Sequence, residues 1–500
     1  MGCAVEGLRA RTALICLVLA VMSASCGGGG GGSAPPVDPA PAPVIPVRPP
    51  GDAPSRASVV LQSDERIDEG LVVANVEDAA LAADGTIGAI VSLANRGGAR
   101  AVLRRAPGAG FSVVFDDTNA PEGVDVRSLL RLRMAPSGEM IFQAGAGLDT
   151  DRLFLVDEDV VHTLAGAAPG AVGPDFRVLG NVRIGHDGIV AFAGGGHTCE
   201  TDVTPGGSVR YICEVALFVA RNGVVERVGE DVIDLDEAAT SSVRVEIDPE
   251  GAVYFSVPGR RTQPTLLRFG EGEFTSLLTA EGEVPGLGAV LRDPDGADMV
   301  GGAVLLSGTL PPAEEGAPRP DIIGILRDGS FEQVAVDGPA SGGGTIRSLR
   351  PIGMDGAANV LYEAQIAESE DPQAPLRRSL RLWKPTGEIE IAREGRASSE
   401  GGPTVVSIDS ARINEAGDVA FLTALGRITE GTIYTDEVRA SLRRADGSIR
   451  TVASSLESAQ FGVLSRLTIA GFDDAANLLL LAERGQSSNR VLLFARADDT

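Results

Sequence analysis

Lysine, histidine and the large aromatic side chains are nearly missing from this chain of 500 residues: it has one lysine (Lys384), three histidines, one tryptophan (Trp383) and four tyrosines. So few histidines, with no GxSxG elbow, no HExxH pair and no phosphate-cradling loop at a helix start, exclude the commonest nucleophilic, metal-hydrolytic and nucleotide-binding sites. Scarce Trp and Tyr argue against a groove in which sugar rings stack on aromatic platforms. Positive charge is in deficit too, since 43 Lys and Arg face 69 Asp and Glu for a net charge of −26. That balance excludes nucleic acid, whose phosphates demand a basic footprint, and adhesion to anionic lipid by charge. What is abundant is glycine, at 64 residues, which favours many short strands and tight turns over long helices.

The N-terminus reads as an address. Arg9 and Arg11 precede an apolar run at 13–22 that is too short to span a bilayer. Ser23, Ala24 and Ser25 then lead to Cys26, and this resembles the lipobox of bacterial lipoproteins, in which the chain is cut before a diacylated cysteine. Ser23 stands where Leu is usual, and ordinary signal cleavage nearby is the alternative. Gly27, not Asp, follows the cysteine, which by the same resemblance implies sorting to the outer membrane. The Gly run and Pro-rich spacer after it cannot build a core and read as a tether. The expected organisation is a leader at 1–25, a tether at 26–56 and one folded domain at 57–500.

Cys3 and Cys16 fall in the leader and Cys26 at the lipid site, which leaves Cys199 and Cys213. An even count in an oxidising compartment reads as one disulfide, worth about 3 kcal/mol in the chain-entropy model. By the strand pattern the two face each other at the base of a long hairpin, where the bond serves as a staple or stiffens a binding loop. A metal site from His197 and Cys199 fails on ligand count, and neither metal nor cofactor is expected.

The phrase GMDGAANVLYEA (353–364) returns as GFDDAANLLLLA (471–482), and looser forms such as VRIGHDGIVAFAGG and RINEAGDVAFLTA bring the number of units to eight. Taking Gly85, Gly138, Gly188, Gly251, Gly302, Gly356, Gly417 and Asp474 as turn positions, the spacing runs from 50 to 63 residues, a period typical of propellers, solenoids or arrays. After each phrase comes a third strand, a turn such as Asn222-Gly223, and a fourth strand. Stretches such as ALFVA are apolar without alternation, as strands covered on both faces are. The expected fold is therefore an all-β propeller of eight four-stranded blades. The last unit stops after three strands, and ASVVLQSDER (57–66) is placed to complete it and close the ring. Seven blades are the alternative, because the fifth unit is irregular. RINEAGDVAFLTA and VRIGHDGIVAFAG also resemble the tandem NxxGxVAF-type repeats of a family of secreted bacterial proteins, several with membrane or surface anchors. The resemblance covers roughly residues 70–495; it implies a propeller-like architecture and supplies no activity, cofactor or site residue.

Arginine precedes the turn in seven of the eight units, and Arg133, Arg183, Arg244 and Arg412 lie an odd number of residues before the turn glycine, so they share one strand face. Inner strands line a propeller's channel, where these guanidiniums could form a basic ring that binds an anion. Alternatively they pair with local acids such as Glu246 and Asp409, or face solvent at the rim. The acidic runs at 234–238, 293–298 and 472–474 offer oxygen ligands without EF-hand or RTX spacing, and turn chemistry explains them.

These readings converge on a lipid-anchored outer-membrane propeller, facing periplasm or cell surface, that serves as a non-catalytic binding or assembly scaffold. Its partners are the membrane, through the anchor, and a protein or small ligand of the envelope; nucleic acid is excluded. The alternatives are a hydrolase or lyase with a carboxylate-based site at the channel mouth, and a purely structural envelope protein. A channel-facing carboxylate pair with shifted pKa favours an enzyme, and arginines lining the channel favour binding.

Overall fold

The computed structural model describes residues 57–497 apart from short internal stretches, the longest being 166–177, 229–242 and 457–463. The leader, the tether and Cys26 lie outside the described residues.

Strand–turn–strand phrases fold into antiparallel hairpins, and these assemble into eight sheets arranged as blades. The inner strands, in order from blade 1 to blade 8, are Val73–Leu81, Leu129–Met134, Val178–Ile184, Arg244–Ile247, Arg292–Val300, Thr345–Met354, Thr404–Ile413 and Leu464–Phe472. Each touches the inner strand of the next blade, and the eighth touches the first, so together they wall a central channel. Second strands such as Ile87–Leu93 are buried almost throughout, whereas fourth strands such as Val224–Val228 are largely exposed. The reason is stacking: a middle strand is covered by a blade on each side. Eight apolar layers fill the ring, one between each pair of neighbouring blades. The layer between blades 8 and 1 joins Leu479 and Leu492 to Val73, Val76 and Ile87, all at most 2% exposed.

The fifth unit is a full blade, with strands Arg292–Val300, Ala303–Thr309, Asp321–Arg327 and Ser330–Val336. Its sequence looks irregular because its inner hairpin turns on two residues, Gly301 and Gly302, both with positive φ. That is the geometry of a tight primed turn, and it shortens the phrase. Ser58–Gln62 pairs antiparallel with the last strand, Arg490–Ala495, and completes blade 8.

The other inner hairpins are closed by a five-residue turn in which the first residue donates its amide to the fifth, as in Asp355 to Asn359 (3.0 Å), Asn414 to Asp418 (3.1 Å) and Asp473 to Asn477 (3.2 Å). In the two copies of the repeated phrase, at 353–364 and 471–482, a buried Asp also caps the turn. Asp355 Oδ1 accepts from the Asn359 amide at 2.8 Å, and Asp473 Oδ1 accepts from the Asn477 amide at 2.7 Å. The fourth turn residue is left-handed. It is Gly85, Gly138, Gly188, Gly251 and Gly417 in five blades, but Ala358 (φ 60°) and Ala476 (φ 62°) in blades 6 and 8. This corrects the alignment on Gly356 and Asp474, which sit two residues too early. An L-residue held left-handed costs roughly 1–2 kcal/mol, offset here by the capping carboxylate. Neighbouring turns also bond to one another: the Gly356 amide donates to Glu415 O at 3.0 Å, and the Glu415 amide to Asp474 Oδ1 at 2.9 Å. The repeated phrase thus forms one rim of the ring.

In blade 3 the backbone register sets Cys199 directly opposite Cys213 across the hairpin of Val190–Val203 and Val209–Arg221. The disulfide itself concerns side chains outside the described residues.

Candidate functional site: the central channel

Counting from the left-handed turn residue rather than from the nearest glycine, one level of the channel becomes visible. Five residues before it stand Ala80, Arg133, Arg183, Glu246, Gly353, Arg412 and Gly471 in blades 1, 2, 3, 4, 6, 7 and 8. Every one of them faces the second-strand residue eight positions later, as Arg183 faces Ala191 and Arg412 faces Ala420. Three of the four arginines singled out by parity therefore share a level. Arg244 lies on the same strand face but two residues further along, opposite Ser256, because Glu246 occupies the level in blade 4.

Arg183 and Glu246 form a two-pronged pair, Nε to Oε2 at 2.9 Å and Nη2 to Oε1 at 2.8 Å. Their side chains keep 38% and 21% of their accessible surface, so water reaches the pair. Burial pulls the Arg183 pKa down, but the charge and hydrogen bonds of Glu246, with help from Asp298, outweigh it and the pKa is raised. Pairing with a local acid thus applies to Arg183. It does not apply to Arg412, since Asp409 accepts instead from the Ser407 hydroxyl.

Arg133 and Arg412 have no carboxylate partner among the described residues. Arg133 Nη1 donates to the Leu132 carbonyl at 2.7 Å, and Arg412 Nη2 to the Ile469 carbonyl at 3.3 Å. Burial lowers the pKa of both, and like charge lowers it further, with Arg183 and Arg131 acting on Arg133 and with Arg133 and Arg183 acting on Arg412, while Asp78 opposes the shift in each. Both remain water-accessible by area, as groups on the wall of a wet channel do while protein displaces bulk solvent around them. Because arginine stays protonated, these shifts do not signal a neutral side chain. They mark a cluster of like charge, offset in part by Asp78, inside a strongly acidic protein.

Two acids that the turn pattern did not single out complete the wall. Asp78 and Asp298 each follow a bulge in the inner strands of blades 1 and 5. Asp78 accepts from the amides of Ala79 and, across the blade boundary, Leu132, both at 2.9 Å. Asp298 accepts from Met299 at 2.8 Å and, across the next boundary, Met354 at 2.7 Å. Each carboxylate therefore ties two blades together through amides that would otherwise lack partners. Asp78 sits seven residues before Gly85, an odd offset that parity could have caught. Asp298 sits four before Gly302, an even offset created by the two-residue turn of blade 5.

A separate cleft of about 620 Å³ opens between blades 8 and 1 beside the closing strand, with Asp84, Arg105 and Arg496 at its edge. Arg105 there is engaged by the Ala109 carbonyl at 3.0 Å and the Phe111 ring.

The fold and the channel define the class: an eight-bladed β-propeller with a mixed-charge, arginine-rich channel. Neither a protein-family model nor a curated protein matches the chain. Among solved structures it is similar to the Dos1 propeller, with 8% identity, 88% of this chain and 95% of that one covered, and a TM-score of 0.42. It is also similar to oligogalacturonate lyase from Vibrio parahaemolyticus, with 9% identity, coverage of 89% and 98%, and a TM-score of 0.38. A third similar structure is virginiamycin B lyase from Staphylococcus aureus, with 12% identity, coverage of 75% and 96%, and a TM-score of 0.34. At these identities the likeness is one of fold and says nothing of activity.

Proposed function

We propose that the protein is a lipid-anchored envelope propeller that serves as a non-catalytic binding scaffold, and that its channel holds an anionic group of its ligand or partner. The observation that carries this reading is the convergence of Arg133, Arg183 and Arg412 on one channel region, with Arg133 and Arg412 making no ion pair among the described residues. Unpaired guanidiniums in a partly desolvated site are an unfavourable arrangement that a bound oxyanion relieves through forked hydrogen bonds.

A hydrolase or lyase would draw on Glu246 and Asp298, two channel carboxylates close enough for the charge of one to raise the pKa of the other. Glu246 is held at both oxygens by Arg183, and Asp298 accepts an amide at each oxygen. Glu246, with both oxygens on a guanidinium, is poorly placed to act as a second acid or base beside Asp298, so these two do not make a working carboxylate pair, which favours binding over catalysis.

Sulfate titration tests the channel. The Arg133→Ala/Arg412→Ala variant is expected to bind sulfate at least about tenfold more weakly, since a charge-assisted hydrogen bond contributes roughly 1.5 kcal/mol or more. Its melting temperature should hold or rise, because the change removes repulsion rather than a stabilising pair. Equal sulfate affinity in variant and parent would refute the reading. The envelope half rests on the lipobox-like leader and the tether. It requires that Cys26→Ser moves the protein from the membrane fraction to the soluble fraction; retention in the membrane would contradict it.

A further inference from the structure

Asp298 is the one carboxylate of the channel wall that faces both a neighbouring acid and a deliberate gap. The gap is Gly353 of blade 6, where an added Cβ would lie 3.1 Å from Asp298 Oδ2. A larger residue there would push the carboxylate off the Met354 amide. No cation pairs with Asp298 within ion-pair distance among the described residues. The charged groups on the described neighbouring elements are these. On the inner strand of blade 4, Glu246 is claimed by Arg183 of blade 3, and Arg244 stands two residues further along. On the inner strand of blade 6, Arg350 pairs with Glu363 at 3.1 Å, and Arg347 lies three residues further from the turn. From the third strand of blade 4, Arg268 acts on Tyr254 and Asp248. The second strand of blade 5, Ala303–Thr309, carries no titratable residue.

The result is a carboxyl that is costly to ionise. Burial raises its pKa to about 7, with the charge of Glu246 adding to the rise and the Met354 and Met299 amides and Arg183 opposing it. The linkage sign follows: the folded state binds this proton more tightly than the unfolded chain. The stability it gives is full below pH about 4 and is lost as pH rises through about 7.

We propose that the channel takes up its anion together with one proton, which settles on the Asp298 carboxyl, so that the site selects a compact oxyanion under neutral to mildly acid conditions. This rests on the channel reading above. A dianion held by the Arg133, Arg183 and Arg412 guanidiniums lies in the same channel region as Glu246 and Asp298, and raises the cost of keeping both carboxylates ionised. Asp298, with no cation of its own, is the group that yields. The balance is simple: solvent supplies H⁺, one O–H bond forms on Asp298, and no other bond changes. By reciprocity, a proton on Asp298 must favour the anion as much as the anion favours the proton.

The test is calorimetric titration of the full protein with sulfate, an anion that does not itself titrate between pH 5.5 and 8.5. Measured at pH 7.5 in buffers of different ionisation enthalpy, the binding heat should report uptake of roughly half a proton per sulfate. Affinity should rise about tenfold from pH 8.5 to 6. Asp298→Asn should bind with no such dependence, near the affinity of the acid form. If that variant does not fold, the buffer comparison on the unaltered protein still decides. Sulfate binding without proton uptake overturns the proposal, as does uptake that persists in Asp298→Asn. Failure to bind sulfate at all overturns the channel reading beneath it.

Discussion

Deleting residues 57–63 is expected to leave the ring open and to make the protein self-associate. The lost strand Ser58–Gln62 is the partner of Arg490–Ala495, with Ser58 opposite Phe494 and Gln62 opposite Val491. Without it, the last strand offers unpaired N–H and C=O groups along the apolar run Val491, Leu492 and Leu493, each at most 1% exposed in the closed ring. That is an invitation to edge-to-edge pairing. Leu61, fully buried in the layer between blades 8 and 1, alone contributes roughly 2–3 kcal/mol of apolar burial. Ala57 is buried in the layer between blades 7 and 8, so the deletion loosens two interfaces. Light scattering and thermal unfolding read the outcome. A synthetic peptide of residues 56–66 added in trans should restore both, by supplying the missing strand. A truncated protein that stays dispersed and melts where the full chain does would show that the closing strand is dispensable.

Replacing Arg381 is expected to be the most damaging single substitution on the outer part of a blade. Its side chain is fully buried on the third strand of blade 6, Leu376–Lys384. All five of its N–H donors are used. They reach Glu388 at 2.6 Å, Glu390 at 2.8 Å, the Ser341 hydroxyl at 2.8 Å, the Ser341 carbonyl at 2.9 Å and the Ser379 hydroxyl at 3.1 Å. The Ser341 hydroxyl in turn donates to Glu388. The network clamps the loop of Gly342, Gly343 and Gly344, all with positive φ, which Arg396 and Arg393 hold through the carbonyls of Gly342 and Gly343. Burial raises the Glu388 pKa, with the charge of Glu390 adding to the rise and the Ser341 hydrogen bond opposing it. Arg381→Ala strips Glu388 of its guanidinium and leaves Glu390 to Arg396 and Arg393, a loss that, as for breaking a buried pair, costs about 3–5 kcal/mol. Arg381→Lys should lose most of the same stability, because one ammonium cannot replace a five-donor fork. Denaturant unfolding measures both. A loss under about 1 kcal/mol for Arg381→Ala would mean that the loop is held by its own turns.

How far the chain could be read by eye follows from what each feature depends on. Blade number, strand order and the borrowed closing strand depend on hydrophobic periodicity and turn chemistry, and both are local. The repeated phrase misled only where local chemistry had two solutions. GMDGAAN and GFDDAAN place their left-handed residue on Ala358 and Ala476, and the nearby Gly356 and Asp474 suggested otherwise. That two-residue slip hid the fact that Gly353 and Gly471 flank Arg412 at the same channel level. Arg350 and Arg466 stand at even offsets from their turns with or without the slip, which keeps them apart from Arg412, and Arg350 turns toward Glu363. The pairing of Arg183 with Glu246 spans 63 residues, and the bond from Asp298 to Met354 spans 56. No window of sequence contains either contact. Asp298 was further concealed by an acidic run, DPDGAD, whose composition reads as turn or calcium ligand.

The central claim is that Arg133 and Arg412 make the channel an anion site. Crystals grown without sulfate and soaked in selenate test it most directly, since the selenium anomalous signal locates the anion without ambiguity. The account predicts a peak in the channel, within hydrogen-bond distance of the Arg133 and Arg412 guanidiniums, that vanishes in Arg133→Ala/Arg412→Ala. Selenate found only on the outer surface, with an unchanged channel, would contradict it.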